Sequence, residues 1–409
     1  MNYVEDKENE KISCEMLRNS VIGNINYEGD MTDEEVKKII SQVSYGYLKR
    51  GEISLRTLFR IEHEVFNSMR RLDVLQDYLE DSDVTEIMVN DWNNIFVEKA
   101  GVIYKSDKTF TSKERLMDII QNIVGEINRT VNETNPIADA RLKDGSRVNI
   151  VLPPVALGGP IVTIRKFRKK NYTLADLVKV GSLSEKAKGA LELLVAARYN
   201  IFICGGTDTG KTTFLNALAY CIEKDERVIT IEDLAELKLD TIDNLVSLEA
   251  RDASVTGEGK VSIRDLIKAA LRMRPDRIIV GEVRDSAVID LMNAYNTGHD
   301  GSISTGHSNS SKDMITRLVT MFLMGMDLPE VAIKNQIASA IDIFIHLGRD
   351  KDKKRIVIGI DEVHKDFSGE IVMNNLFYYD FKKGELIRSD NALINTQKLE
   401  RKGIEYSRL

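Results

Sequence analysis

The chain has 409 residues, of which 43% are hydrophobic and 30% are charged, and its formal net charge at pH 7 is −7. This length allows two or three domains with separate cores, and the acidic balance argues against nucleic acid as the main partner. No apolar run approaches the length of a membrane-spanning helix, and the three cysteines are isolated, which predicts no disulfide and no structural metal site. We therefore expect a cytoplasmic protein without a transmembrane segment.

The first 80 residues divide into a flexible tail and a small helical unit. Residues 1–31 are polar and contain turn-forming residues, which predicts a disordered segment. Residues 32–80 open with a capping box, Thr32–Glu35, and carry apolar residues at helical spacing. A second run with this spacing, Ser54–Leu79, predicts another long helix. We expect these helices to form a unit separate from the next segment.

Residues 81–168 change to short strands around one helix. Val84–Asn90 and Asn94–Glu98 alternate between apolar and polar residues, as half-exposed strands do. A capping box at Thr111–Glu114 precedes a clean apolar helix face, and further strands follow it. This order predicts an α+β domain. It ends in the basic cluster Arg165–Lys170, which fits either a solvated linker or arginines presented to a nucleotide held elsewhere.

The stretch Tyr199–Thr213 reads YNIFICGGTDTGKTT and has the pattern of a phosphate-binding loop between a strand and a helix. Glycines allow successive N–H groups to converge on anionic oxygens, and the helix N-terminus adds positive potential. Lys211 is expected to reach the outer phosphates, and the Thr212 hydroxyl to bind Mg²⁺. The residues predicted to bind the nucleotide are Gly205, Gly206, Thr207, Asp208, Thr209, Gly210, Lys211, Thr212 and Thr213.

After this loop, strands and helices alternate, which predicts a mostly parallel sheet with its ligands at the carboxyl ends of the strands. Glu232, Glu282 and His307 each follow such a strand. Hydrolysis of a phosphoanhydride needs a positioned Mg²⁺, an oriented water and cations around the transferred group. We expect Glu282 to hold Mg²⁺, directly or through water, and His307 to contact the γ-phosphate.

Three acids follow the first strand after the phosphate loop, and one of them is expected to activate the attacking water. They are Glu232, Asp233 and Glu236, of which Glu236 is favoured. Any single acid of this kind is commonly a solvated loop carboxylate, but together they end a strand that flanks the loop. Arginines between the acidic sites could bridge subunits or pair with local carboxylates: Arg251, Arg264, Arg272 and Arg274.

Four stretches together resemble the signatures of type II/IV secretion ATPases. They are Gly205–Thr213 (Walker A), Ile231–Leu237 (Asp box), Leu271–Arg284 (Walker B) and Asn296–Ser310 (His box). Three upstream stretches resemble the CpaF-like branch, which powers tight-adherence (Tad/Flp) pili: Val84–Asn90, Asp139–Asn149 and Thr163–Phe167. The chain lacks the tetracysteine zinc element of the general-secretion and type IV pilus assembly branches.

The resemblance implies an α/β fold in which 169–409 form a RecA-like P-loop NTPase domain with a mostly parallel sheet and a carboxyl-terminal helical/strand subdomain. The α+β (PAS-like) domain and the small helical unit would precede it. The family also implies ATP and Mg²⁺ as cofactors and a homohexameric ring docked on a polytopic inner-membrane platform protein. Arginines of the α+β domain reach the phosphates in this family. Arg141, Arg147 and Arg165 match them by motif, and Arg272 is a further possible contributor.

One departure from the family pattern concerns the phosphate loop, where Asp208 and Thr209 replace the usual Gly-Ser. An acid inside the loop opposes phosphate binding unless its side chain faces away, so we expect an altered affinity or rate. Three hypotheses follow: an ATP-driven motor, an ATP-binding assembly scaffold with weak hydrolysis, and a RecA-like nucleic-acid translocase. The negative net charge and the missing aromatic–basic stripe argue against the third.

Overall fold

The computed structural model describes residues 16–24, 31–99, 101–125, 130–167, 171–251, 259–366 and 370–405. The chain forms two compact units, Met1–Lys169 and Lys170–Leu409. None of the helices within the described ranges combines the length and the apolar character that crossing a membrane requires.

The first unit begins with a group of helices, and the first three of them share a small core. They are α1 (16–23), α2 (Asp33–Lys49), α3 (Leu55–Arg70) and α4 (Leu75–Glu80). The capping box before α2 is confirmed, because Thr32 Oγ1 accepts from the N–H of Glu35 and the Glu35 carboxylate accepts from the N–H of Thr32. The prediction of a disordered tail is wrong for residues 16–23, because Leu17 and Val21 are buried against α2 and α3. Residues 1–15 and 25–30 of that predicted tail lie outside the described residues.

The long helix predicted over Ser54–Leu79 is also wrong, because it is broken between α3 and α4. Asp73 adopts a left-handed backbone conformation at φ +56°, which a helix does not contain. Its carboxylate accepts a hydrogen bond of 2.6 Å from Arg115 Nε, and the same guanidinium donates to the carbonyl of Ser68. This contact, between residues distant in sequence, fixes the break.

The rest of the first unit is a sheet with one helix packed against it. Its elements are β1 (Val84–Asp91), β2 (Asn94–Lys99), β3 (Val102–Lys105), α5 (Lys113–Gly125), β4 (Ile137–Arg141), β5 (Arg147–Val151) and β6 (Ile161–Arg165). Within the described ranges the sheet has six strands in the order β3-β2-β1-β6-β5-β4, and every neighbouring pair is antiparallel. The apolar face of α5 joins the sheet in one core. Its N-terminus is capped by Ser112, whose Oγ accepts from the N–H of Arg115, and not by the predicted Thr111.

The second unit is built on one large sheet. Its strands are β7 (Ile201–Gly205), β8 (Arg227–Glu232), β9 (Asn244–Glu249), β10 (Arg277–Val280), β11 (Ile303–His307), β12 (Ile343–Arg349), β13 (Arg355–Lys365), β14 (Ile371–Asp380) and β15 (Glu385–Arg388). Across the described residues the strand order is β15-β14-β13-β12-β7-β11-β10-β8-β9. The strands from β12 to β9 run parallel, and β13 to β15 extend the sheet by antiparallel pairing.

Helices cover both faces of this sheet. They are α6 (Leu174–Lys179), α7 (Glu185–Ala196), α8 (Lys211–Ala219), α9 (Ile263–Ala270), α10 (Ala287–Asn296), α11 (Ser311–Leu323), α12 (Glu330–Ala340) and α13 (Gln397–Arg401). Alternate residues of β7 serve the two faces: Ile201 and Ile203 pack with α7 and α8, whereas Phe202 and Cys204 pack with α10 and α11. Burial on both faces explains why the strand is a continuous apolar run. Strand β9 is a half-exposed edge strand that was not predicted from the sequence.

Candidate active site

The phosphate loop connects the carboxyl end of β7 to the start of α8. A Cβ atom on Gly205 would lie 2.5 Å from the carbonyl oxygen of Leu347, so only glycine fits there. Gly210 is left-handed at φ +93° and occupies the N-cap position of α8. Because it has no side chain with which to cap the helix, the first turn of α8 offers its N–H groups and positive potential to an anion.

A row of four charged or titratable side chains lies along the carboxyl edge of the sheet. Lys211 Nζ donates to the carbonyl of Gly206 at 2.8 Å and lies 3.2 Å from His307 Nδ1. His307 Nε2 is 2.9 Å from Glu282 Oε1, and Arg284 Nη2 donates to Glu282 Oε2 at 2.9 Å. The predicted Lys211, Glu282 and His307 are therefore brought together, and Arg284 joins them.

The surroundings of Glu282 and His307 determine their protonation states. Burial opposes the charge of Glu282, but the hydrogen bond from Arg284 and the proximity of His307 hold the pKa of Glu282 below its usual value. Burial also lowers the pKa of His307, and Lys211 and Arg284 lower it further, against the opposite effect of Glu282. At neutral pH the site therefore contains an ionised Glu282 and a neutral imidazole. A neutral imidazole suits the contact with Lys211, because Nδ1 can then accept.

The Glu282 carboxylate has the properties that a Mg²⁺ ligand requires. Its Oε1 atom is buried and has no hydrogen-bond partner among the described residues, because its contact with His307 is close but not aligned for a hydrogen bond. An ionised oxygen without a hydrogen bond is a suitable ligand for a hard cation. No group of three or more His, Cys, Asp or Glu side chains in the described ranges could hold a metal ion. Within the described ranges Glu282 is therefore not part of a cluster that could hold a metal ion by itself.

Glu232 differs from Glu282 because its carboxylate accepts hydrogen bonds from backbone N–H groups. The side chain is buried, with 4% of the residue exposed, and its oxygens accept from the N–H groups of Glu236 and Leu237 at 3.1–3.2 Å. Gly281 makes room for it, since a Cβ there would lie 2.9 Å from Glu232 Cγ. The geometry therefore gives Glu232 the task of fixing the segment that carries Asp233 and Glu236. Asp233 is exposed, and Glu236 is half-buried.

The three arginines predicted from the first unit lie side by side on its sheet. Arg141 is paired with Arg147 across β4 and β5, and Arg147 is paired with Arg165 across β5 and β6. Directly opposite residues project from the same face of a sheet, so the three side chains form one row on one face. On the next strand, β1, Glu86 lies opposite Arg165 in the strand register. A row of arginines in register concentrates positive charge on one face of the sheet, and guanidinium groups are suited to anionic ligands.

The other basic residues singled out from the sequence have different surroundings. Arg264 pairs with Asp290 at 2.6 Å, which joins α9 to α10. Arg251 donates to the carbonyl of Gly259, and Arg272 and Arg274 are exposed. His299 Nδ1 lies 3.1 Å from the carbonyl of Ala294 near the end of α10, which is a structural contact.

Sequence reasoning missed Arg284, Arg349 and Arg355 at this edge of the sheet. Arg284 could have been found, because it lies two residues after Glu282 in the Walker B stretch. Arg349 and Arg355 contact Asp208 from positions 141 and 147 residues further along the chain, so no local pattern connects them to the loop.

The sequence pattern of the family described as Type II/IV secretion system protein matches residues 70–407. The chain belongs to this family. Members of this secretion family are ATPases. The chain is 32% identical over 284 residues to the conjugal transfer protein TrbB of Rhizobium radiobacter, covering 68% of this chain and 83% of TrbB. It is 31% identical over 302 residues to the type IV secretion system protein PtlH of Bordetella pertussis, covering 68% of this chain and 89% of PtlH.

A solved structure agrees with the fold. The ATPase DotB of Legionella pneumophila is 22% identical to this family member, with a TM-score of 0.52, and the match covers 72% of this chain and 80% of DotB. At this identity the likeness concerns the fold alone. It supports a mixed α/β architecture for the chain.

Proposed function

We propose that this secretion-family protein is a Mg²⁺-dependent ATPase whose site is the carboxyl edge of the second unit's sheet. One observation carries the proposal: Lys211, His307 and Glu282 form a contiguous row beside a glycine-lined helix N-terminus. A triphosphate needs N–H donors, a lysine and a carboxylate for Mg²⁺, and this edge of the sheet provides each of them.

Each residue of the row has a distinct role in this proposal. Lys211 exchanges its present bond to the Gly206 carbonyl for the outer phosphate oxygens. Mg²⁺ at Thr212 and Glu282 would neutralise charge on the transferred phosphoryl group. His307, neutral and held between Lys211 and Glu282, responds to the γ-phosphate through its bond with Lys211. Glu236 orients the attacking water, and Glu232 positions the segment that carries it.

We further infer that the arginine row of the first unit completes the site. In this proposal 81–168 is a PAS-like α+β domain, 169–409 is a RecA-like domain with a carboxyl-terminal subdomain, and 32–80 is a helical unit. In this proposal Arg141, Arg147 and Arg165 bind the phosphates, as the family resemblance implies. The alignment of these arginines in register on adjacent strands supports the assignment.

The biological role that follows is that of a homohexameric motor in the cytoplasm. It would act on a polytopic inner-membrane platform protein at the inner face of the cell membrane, in the CpaF-like branch that assembles Tad/Flp pili. Relatives named for conjugal transfer and for type IV secretion support a role in moving macromolecules across the envelope. The upstream motifs quoted above favour the pilus branch.

Steady-state phosphate release by the assembled oligomer tests this proposal against a non-hydrolysing scaffold. We expect turnover with Mg²⁺–ATP that falls by about 100-fold in Arg147→Ala, a loss typical of removing a cation from the transferred phosphoryl group. Arg56→Ala is the matched control, because Arg56 is an exposed arginine on α3 of the same unit. ATP binding without turnover in the wild type would favour the scaffold, and an Arg147→Ala variant as active as the control would remove the arginine row from the site.

A further inference from the structure

Asp208 stands in the middle of the phosphate loop, where its charge should repel a triphosphate. Its backbone is left-handed at φ +57°, a conformation that non-glycine residues seldom adopt and that Asn and Asp tolerate best. The structure shows where the acid points. Its two carboxylate oxygens are bound separately, Oδ2 by Arg349 Nη2 and Oδ1 by Arg355 Nη2.

The same two guanidinium groups also bind the loop backbone. Arg349 Nη2 and Arg355 Nε each donate to the carbonyl oxygen of Asp208 at 3.0 Å. Four contacts therefore converge on one residue from the two strand positions that flank the turn of the β12–β13 hairpin. This arrangement holds the backbone of the loop as well as its acid side chain.

The hairpin lies directly against the loop at two further points. The carbonyl oxygen of Leu347 on β12 approaches Gly205 so closely that a Cβ there would be 2.5 Å away. The Cδ atom of Arg355 would lie 3.4 Å from a Cβ on Gly210. The loop is thus supported by the hairpin at its start, middle and end.

These contacts contribute little to the stability of the fold but have a large effect on the charge of the phosphate loop. The Asp208 side chain is 48% exposed and each arginine side chain is 35% exposed, and ion pairs at such exposure contribute little to folding. A negative charge beside bound phosphates, by contrast, weakens binding unless a cation offsets it. Two arginines against one aspartate leave the loop with a net positive balance.

We propose that Arg349 and Arg355 are positioning residues that turn the Asp208 carboxylate away from the phosphates and offset its charge, making an acid at position 208 compatible with ATP. The proposal rests on the proposed function, because it names what tunes that same site. It assigns the arginines to Asp208 and not to the nucleotide itself. Those two assignments predict opposite results when Asp208 is neutralised in a variant that lacks both arginines.

The test is isothermal titration of ATP with Mg²⁺ into the full chain and four variants. Arg349→Ala combined with Arg355→Ala leaves Asp208 uncompensated, and we expect the dissociation constant to rise about tenfold. Asp208→Asn removes the charge and keeps a residue that tolerates the left-handed backbone, and we expect binding at least as tight as in the wild type. Adding Asp208→Asn to the double arginine variant should restore affinity to within about threefold of Asp208→Asn alone.

The fourth variant is the matched control Lys351→Ala, which removes an exposed cation from the turn of the same hairpin and should bind ATP as the wild type does. If the triple variant stays as weak as the double arginine variant, the arginines bind phosphate themselves and the proposal is overturned. An unchanged dissociation constant in the double variant overturns it as well. A wild type that does not bind ATP would instead refute the proposed function, so the two failures are distinguishable.

Discussion

At the amino end of the parallel strands in the second unit, charged groups are buried and pair with one another. At the carboxyl end, charged groups surround a carboxylate oxygen that accepts no hydrogen bond from the described residues. Arg277 at the start of β10 is fully buried, and its Nε and Nη2 atoms donate to both carboxylate oxygens of Glu226 at 2.7 Å. Its Nη1 atom donates to the carbonyls of Val195 and Gly301. At the other end, Glu282 Oε1 is buried without a hydrogen bond among the described residues.

Two lysines, Lys398 at the amino end of the strands and Lys211 at the carboxyl end, also differ in their surroundings. Lys398 Nζ at the amino end contacts Asp300 and Asp342 at 2.7 Å each, so its charge is satisfied by two carboxylates. Lys211 Nζ at the carboxyl end contacts the Gly206 carbonyl and the imidazole of His307, both of them neutral. One end of the sheet therefore pairs its buried charges with one another, whereas at the other end a lysine lies beside the glycine-rich loop.

The largest effect on activity is expected from Lys211→Ala. Phosphate release from ATP should fall by 100-fold or more, because the phosphates lose their lysine. The free energy of unfolding should change by less than about 1 kcal/mol, since the contacts of Lys211 include two carbonyls and an imidazole, which are neutral hydrogen-bond partners. Steady-state phosphate release and urea unfolding of one preparation check both statements. Unchanged turnover would remove this edge of the sheet from consideration.

The largest effect on stability is expected from Glu226→Ala at the opposite end. Arg277 would then be a buried charge without its carboxylate, which costs about 3–5 kcal/mol in the free energy of unfolding. Turnover per folded molecule should not change, because the pair lies at the far end of the strands. Glu226→Leu combined with Arg277→Met serves as the control and should recover much of the loss. Urea unfolding measures the loss of stability. A loss below about 1 kcal/mol would show that the buried charge pair at the amino end does not hold the fold together.

A smaller, pH-dependent effect is expected from Lys398→Ala. Burial raises the pKa of Asp342, and the charge and hydrogen bond of Lys398 counteract that rise. Without Lys398 the pKa should rise further, so ionised Asp342 becomes more costly in the folded state. The variant should therefore lose about 1–3 kcal/mol at pH 7 and less near pH 4, where the carboxyl is protonated. A loss that is the same at both pH values would show that Asp342 is not responsible.

The smallest effect concerns Glu282→Gln and acid stability. The pKa of Glu282 is lowered, so the favourable interactions of its charge are present above about pH 4.5 and are lost as the pH falls through the folded-state value. The wild type should exceed the variant in stability by about 1 kcal/mol or less at pH 7, and the difference should shrink on acidification. Urea unfolding between pH 7 and pH 3 measures this difference in stability. A difference that grows towards low pH would contradict the lowered pKa of Glu282.

The site was predictable from sequence where chain-local patterns fix it. The apolar run of β7 and the glycines after it locate the phosphate loop, and the rule that ligands lie at the carboxyl ends of parallel strands brought Glu282 and His307 to it. Thr32 likewise capped α2 as its spacing predicted.

The parts that sequence could not predict depend on contacts between distant residues. The break at Asp73 needs Arg115, and the orientation of Asp208 needs Arg349 and Arg355. Glu232 was one of three acids considered for activating the water, but the path of the segment after it turns its carboxylate to backbone N–H groups. Side-chain pairing across 42 to 147 residues leaves no periodic signal in the sequence.

Calorimetric titration of ATP with Mg²⁺ into Lys211→Ala and Lys398→Ala tests the central claim most directly, because it compares the two ends of the sheet with the same substitution. The account predicts that Lys398→Ala binds ATP with wild-type affinity, while the dissociation constant of Lys211→Ala rises at least about tenfold. Equal affinity in the two variants, or a loss confined to Lys398→Ala, would show that the nucleotide does not bind at the carboxyl edge.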